Sequence, residues 1–229
     1  MTGVGIEERN FEKTLWTRCV LFDLDGTLYE SPEYSLRLES EIVRFISEQL
    51  GLDEGRARSM LESRKKELGT LTRTIQSLGI DRELFFHEIA DRIEPHSYIR
   101  QDPTALSVLR ELKQRGFKMG LVSNSGRVLV TKILDALGIE SSSFDVIVTS
   151  SEAEPKPSPQ PFLLAMKKVG CDGSDSVYVG DREDAEVLPA KRSGLRTILL
   201  DRNRSQVSSA ADVVVTSLAQ VPRVVRLRL

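Results

Sequence analysis

The stretch Cys19-Val20-Leu21-Phe22-Asp23-Leu24-Asp25-Gly26-Thr27-Leu28-Tyr29 decides how the rest of this 229-residue chain reads. Its first four residues are apolar without alternation, the pattern of a strand buried on both faces of a parallel sheet. The run then stops in two aspartates and a glycine. Two carboxylates one residue apart beside an apolar strand are costly unless a cation or a hydrogen-bond network holds them. Asp23 is therefore a candidate nucleophile, and the other segments must supply its partners.

Outward from that stretch the texture turns helical. Leu38, Ile42, Phe45, Ile46 and Leu50 recur near every 3.6 residues, with Gly51 as a stop. Further helices are predicted over about Glu54–Leu68, Arg73–Leu78 and Arg82–Ile93, with a polar break at Gly69-Thr70-Leu71-Thr72 and a stop at Pro95. Residues 30–100 thus read as a helical block without a strand.

From Asp102-Pro103 strands and helices alternate. Strands are predicted over Phe117–Val122, Phe144–Val148, Ser176–Gly180, Thr197–Leu200 and Asp212–Val215. Helical stripes lie between them, including Pro159–Val169 with Ser158 as its N-cap. This alternation predicts an α/β fold with an open, mostly parallel sheet covered on both faces. Such sheets bind ligands outside the carboxyl ends of their strands. Those ends carry Asp23 and Asp25, Ser123 and Asn124, and Asp181. The expected division is a catalytic core of residues 1–29 and 101–229, with residues 30–100 as an all-α cap over the site.

Composition narrows the class. The chain is 40% hydrophobic and 29% charged with formal net charge −2, so nothing draws it to nucleic acid or to an anionic membrane. No stretch approaches the roughly 20 apolar residues of a membrane span, and residues 1–17 have no apolar run of signal-peptide length. A cytoplasmic protein is expected, its first dozen residues loosely ordered or a short helix. Cys19 and Cys171 read as two free thiols. No Cys/His set has zinc spacing, and His87 and His96 read as surface or packing residues.

The polar residues suggest a chemistry. Asp23, Asp25 and Asp181 offer an oxygen-only ligand set, which favours magnesium. Ser123 and Asn124 offer a hydroxyl and main-chain N–H groups of the kind that hold phosphate oxygens. Lys156 lies in Glu154-Pro155-Lys156-Pro157-Ser158-Pro159, where the prolines stiffen its backbone. Carboxylates, one metal, one lysine and a hydroxyl suit phosphoryl transfer, in which positioning and charge neutralisation do most of the catalysis.

The ordered set resembles the haloacid dehalogenase-like hydrolase superfamily. The resemblance rests on Asp-x-Asp-Gly-Thr-Leu at residues 23–28, Ser-Asn at 123–124, Lys-Pro-x-Pro at 156–159 and Gly-Asp-Arg-x-Asp-x-Glu at 180–186. It spans about Cys19 to Val215. It implies a Rossmann-like three-layer core, a phosphatase with a helical cap inserted after the first strand, and an aspartyl-phosphate intermediate. Asp23 would be the nucleophile and Asp25 the general acid/base. Magnesium would be held by the Asp23 carboxylate, the Asp25 main-chain carbonyl and the Asp181 carboxylate. Ser123, the Asn124 amide and Lys156 would hold the phosphoryl oxygens, and Gly26 would let the backbone approach them.

The family commonly has a second aspartate after the one matching Asp181. Here Asp184 and Glu186 share that position as metal-supporting candidates, beside the plainer reading of acids at a helix N-terminus. Dehalogenases of this fold lack an acid matching Asp25, which argues for phosphatase or phosphomutase chemistry. Phosphonate cleavage would need a cap lysine, but Lys65 and Lys66 read as solvated surface. Thr70 and Arg73 are candidate substrate contacts, or part of an ordinary turn. The segment around Lys66–Leu71 is similar to pyrimidine nucleotidase-like caps, and Gly180-Asp181-Arg182 to phosphoglycolate and glyceraldehyde-phosphate phosphatase-like members. The expected substrate is a small phosphorylated metabolite, the protein being a monomer or homodimer. A sugar phosphomutase and a catalytically idle binding or regulatory member are the alternatives.

Overall fold

The computed structural model describes residues 13–203 and 210–228. The chain opens with β1 (Leu15–Thr17) and β2 (Cys19–Phe22), followed by α1 (Pro32–Leu50), α2 (Glu54–Leu68), α3 (Leu71–Ser77) and α4 (Arg82–Arg92). Alternation then begins with α5 (Pro103–Gln114), β3 (Lys118–Val122), α6 (Arg127–Ala136), β4 (Val146–Val148), α7 (Gln160–Val169) and β5 (Ser176–Gly180). It ends with α8 (Leu188–Arg192), β6 (Arg196–Leu200), β7 (Val213–Val215), α9 (Val221–Val224) and β8 (Val225–Leu227). The expectation for the first dozen residues lies outside the described residues.

Six strands form a wholly parallel sheet in the order β4-β3-β2-β5-β6-β7. Side chains alternate across it as the pleat requires. Val20 and Phe22 join an apolar cluster with α1, α5, α6 and α9 on one face. Cys19 and Leu21 join a second cluster with α7 and α8 on the other, so the unalternating run of β2 is a strand buried on both sides. After β4 the chain crosses back to place β5 beside β2, which makes the gap between them the switch point of the sheet. Phe22 is level with both Leu121 and Val179. The residues that follow these three strands therefore emerge side by side.

Among the described residues, 30–100 hold helices and no strand. Ser31 starts α1: its hydroxyl accepts from the Tyr34 N–H (3.2 Å), Pro32 follows at the first turn, and Gly51 ends the helix at φ 64°. The same hydroxyl donates to Tyr98 O (3.1 Å), tying together the two chain segments that enter and leave the block. Phe45 and Phe85 join α1 to α4, with ring centroids 5.7 Å apart. The apolar cluster of the sheet face continues into this block through Phe86, Leu129 and Ile133. Lys132 Nζ adds a bond to Ala90 O (2.7 Å), and His96 on the surface has a partner in Asp135 (2.8 Å).

Three local expectations shift. The helix expected from Pro159 begins at Gln160, because the preceding loop closes its own turn through Ser158 N–H and Pro155 O (3.0 Å). Ser158 Oγ still accepts from Gln160 N, at 3.3 Å. The single helix expected before Gly194 is a wide π-type turn over Glu183–Val187 followed by the short α8. Finally, β1 pairs in parallel with β8, a two-stranded ribbon that the sequence reading did not contain. Each strand has three residues, too few for a period to show.

Candidate active site

Asp23 follows the last residue of β2, where its N–H still donates to Val179 O on β5 (2.9 Å). The residue is 3% exposed. One carboxylate oxygen accepts from Lys156 Nζ, while Oδ2 is buried without a hydrogen-bond partner among the described residues. A buried carboxylate oxygen without a partner is expensive, and it marks where a cation or a reacting atom would sit.

Lys156 is 2% exposed and spends all three ammonium protons. They go to Asp23, to Glu186 Oε1 (2.6 Å) and to the Tyr178 hydroxyl (2.9 Å). Tyr178 lies on β5 with its ring edge-on to Phe162, centroids 5.0 Å apart, so the phenol is fixed beneath the ammonium. The backbone of Lys156 is held as firmly. Asn124 Oδ1 accepts from Lys156 N–H (2.8 Å), and Asn124 Nδ2 donates to Lys156 O (2.9 Å). Beside it Ser123 is buried, its hydroxyl accepting from Ser125 N–H (3.1 Å). The Asn124 main-chain N–H makes no hydrogen bond among the described residues.

Asp23, Asp181 and Glu186 each bring a carboxylate oxygen within 4.8 Å of the others. The wide turn aims Glu186 inward: Val187 N–H reaches back five residues to Arg182 O (3.1 Å). Glu186 Oε2 then accepts from the main-chain N–H groups of Asp181 (3.2 Å) and Arg182 (3.4 Å). With Oε1 on Lys156, both its oxygens are engaged. Asp184 instead faces solvent near Arg182 and makes no contact with the cluster. Two glycines make room for these acids. A Cβ on Gly26, already at φ 86°, would meet Asp181 Oδ2 at 2.2 Å, and one on Gly180 would meet Glu186 Oε2 at 2.4 Å.

One ammonium against three carboxylates leaves two negative charges in a largely buried site. Burial, and then the Glu186 carboxylate, push Asp23 well above the usual carboxylate range despite the nearby ammonium. Asp181 rises to about 6 for the same two reasons. Burial by itself would lower Lys156, but Asp23 and Glu186 outweigh it and hold the ammonium protonated. The excess charge, the oxygen-only donors and the orphaned Asp23 Oδ2 fit a hard divalent cation such as magnesium.

Asp25 stands apart from this cluster. Asp25 is exposed to solvent, yet desolvation by the protein packed around it pushes its carboxyl up, opposed by a hydrogen bond from Tyr29. Arg202, at the end of β6, donates to Gly26 O and to Thr27 O (2.8 Å), pinning the loop that carries Asp25. Thr70 is the N-cap of α3, accepting from Arg73 N–H (3.3 Å), and Arg73 is exposed. Neither side chain bonds to the acid cluster among the described residues. Sequence reasoning missed Tyr29, Tyr178 and Arg202. A phenol in an otherwise aliphatic buried strand was a signal for Tyr178, since its hydroxyl must find a partner; Arg202 gave none.

Acid side chains gather at the switch point of a parallel sheet, where doubly wound α/β folds bind their ligands. Residues 17–194 match the model of the haloacid dehalogenase-like hydrolases, and the chain belongs to that family. It is 33% identical over 190 residues to a phosphoglycolate phosphatase of Aquifex aeolicus, covering 80% of this chain and 84% of that one. It is 28% identical over 200 residues to a glyceraldehyde 3-phosphate phosphatase of Methanopyrus kandleri, covering 82% and 86%. Among solved structures, an HAD phosphatase from Thermococcus onnurineus shares the fold, with TM-score 0.71 at 24% identity over 90% of this chain and 97% of that one. The chain is thus a hydrolase of a family whose members include phosphatases of small metabolites. Among the described residues no helix is long and apolar enough to cross a membrane.

Proposed function

We propose that this protein is a magnesium-dependent phosphatase of small phosphomonoesters that works through an aspartyl-phosphate on Asp23. The observation that carries the reading is the Asp23 carboxylate itself. It is buried at the sheet's switch point with one oxygen on Lys156 and the other without a partner among the described residues. In this reading one oxygen of the Asp23 carboxylate attacks phosphorus and the bond to the leaving oxygen breaks. Asp25 gives that oxygen its proton, then takes one from the water that frees phosphate and restores Asp23. Ser123, the Asn124 N–H and Lys156 hold the phosphoryl oxygens, for which Lys156 exchanges one of its present partners. Asp23, Asp181 and the Asp25 carbonyl would hold magnesium, with Glu186 bracing the set. When bound, the ion offsets the charge of the phosphate and of the acids.

The Asp25 carboxyl supports ester hydrolysis over dehalogenation, since an alkoxide leaves readily only when protonated. Phosphoglycolate and glyceraldehyde 3-phosphate are the first substrates to test, being those named for the relatives. Residues 30–100 act as the cap that selects among such esters. Phosphate release from 4-nitrophenyl phosphate and from both metabolites should require magnesium and vanish in Asp23→Asn. Undiminished turnover by that variant would remove Asp23 from the nucleophile's role. Turnover that needs a sugar bisphosphate and yields no free phosphate would identify a mutase instead.

A further inference from the structure

We infer that the Tyr29 hydroxyl is the positioning group for the Asp25 carboxyl, holding one oxygen so that the other faces the leaving group. Tyr29 donates to Asp25 Oδ1, the single side-chain partner Asp25 has among the described residues. The main chain closes the same loop once more, Gly26 N–H donating to Tyr29 O (2.9 Å) in the Asp25–Tyr29 bridge. The phenol cannot swing away. Its ring is buried and stands edge-on to Tyr34 (centroids 6.2 Å, 71°), which in turn packs on Tyr98 (6.5 Å).

Asp25 needs such a holder more than the other acids do. Asp23 and Glu186 are locked in place by burial and by Lys156, whereas Asp25 reaches solvent, and a free carboxyl there would sample several rotamers. A phenol suits both halves of the cycle, because it donates to Asp25 Oδ1 both when the carboxyl is ionised and when it carries its proton on the other oxygen. Tyr29 itself neither gains nor loses a proton. The proton on Asp25 goes to the leaving oxygen and is replaced from water.

This inference rests on the reading of Asp25 as proton shuttle, and the test separates the two. Tyr29→Phe keeps the ring and its packing but removes the hydroxyl. It is compared with wild type and with Asp25→Asn on 4-nitrophenyl, phenyl and 4-methoxyphenyl phosphate. The quantity measured is kcat/KM, which reports the step that expels the leaving group. Tyr29→Phe should lose about tenfold on the 4-methoxyphenyl ester and less than about twofold on the 4-nitrophenyl ester, whose leaving group needs little protonation. Asp25→Asn should show a steeper dependence in the same direction. An equal loss of Tyr29→Phe on all three esters would make Tyr29 merely structural, and no loss would leave it without a role; either overturns the inference while the Asp25 reading stands. A wild-type leaving-group dependence in Asp25→Asn would overturn that reading, and the inference with it.

Discussion

Asn124 grips the backbone of Lys156 from both sides, accepting its N–H at 2.8 Å and donating to its carbonyl at 2.9 Å. The ammonium at the far end of that residue is therefore aimed from its root. Asn124→Asp keeps the acceptor but replaces the amide donor with an oxygen that repels the Lys156 carbonyl. We expect kcat/KM to fall roughly tenfold and inhibition by inorganic phosphate to weaken, with the melting temperature changed by only a few degrees. Steady-state kinetics with phosphate as inhibitor checks this, and unchanged phosphate affinity would refute it.

The Lys156 ammonium sits between two buried carboxylates, so deleting it strands both. Lys156→Met should cost about 3–5 kcal/mol of stability and abolish turnover. Adding Glu186→Gln to that variant removes one of the stranded charges and should restore part of the stability. Urea unfolding of the two single variants and the double gives the coupling between the residues, and strictly additive losses would contradict the geometry.

Magnesium at the proposed site should raise the melting temperature by several degrees when present well above its dissociation constant. The sign of the pH effect follows from Asp181, whose pKa is raised to about 6. Below that pH the carboxyl carries a proton that the cation must displace, so the magnesium-induced shift shrinks as pH falls through 6. Asp181→Asn should remove most of the shift at every pH. Thermal melts with and without a chelator measure both effects.

Asp212 contributes stability that is likewise lost in acid, through a lowered pKa rather than a raised one. Burial would raise its pKa, but the Thr197 N–H (2.9 Å) and the lysines Lys13 (3.2 Å) and Lys191 (3.3 Å) outweigh it and lower it. A depressed folded-state pKa stabilises fully above the unfolded value of about 3.9 and loses that effect as pH falls through the folded value. Asp212→Asn should therefore cost roughly 1–3 kcal/mol at pH 7, and the gap from wild type should narrow in acid. Denaturation series at pH 7 and in acid test it, and a gap constant with pH would rule it out.

How far the sequence foretold these features depended on how local their causes were. The run Cys19–Phe22 disclosed its two-sided burial because nothing polar interrupts it, and the strands after residue 116 were marked by glycines and aliphatic runs. Asp23 and Asp181 could be brought together on paper because each directly follows a strand of the same sheet, whereas Lys156, in the loop after β4, was placed by the family resemblance. The choice between Asp184 and Glu186 was not legible. It depends on the phase of a wide turn, and residues two apart on a helical turn face different ways. Thr70 reads from sequence as a substrate contact or as part of an ordinary turn, and its hydroxyl caps α3. Arg202 reaches Gly26 across 176 residues, beyond anything spacing alone can reveal.

The ribbon of β1 and β8 has a consequence for how the molecule is made. Leu15 finds its partner in Val225, roughly two hundred residues further along the chain. On a ribosome, β2 and the helices that follow it would emerge and begin to pack while β1 still had nothing to pair with. Closure of the ribbon must therefore wait until Val225–Leu227 has been made and has cleared the exit tunnel.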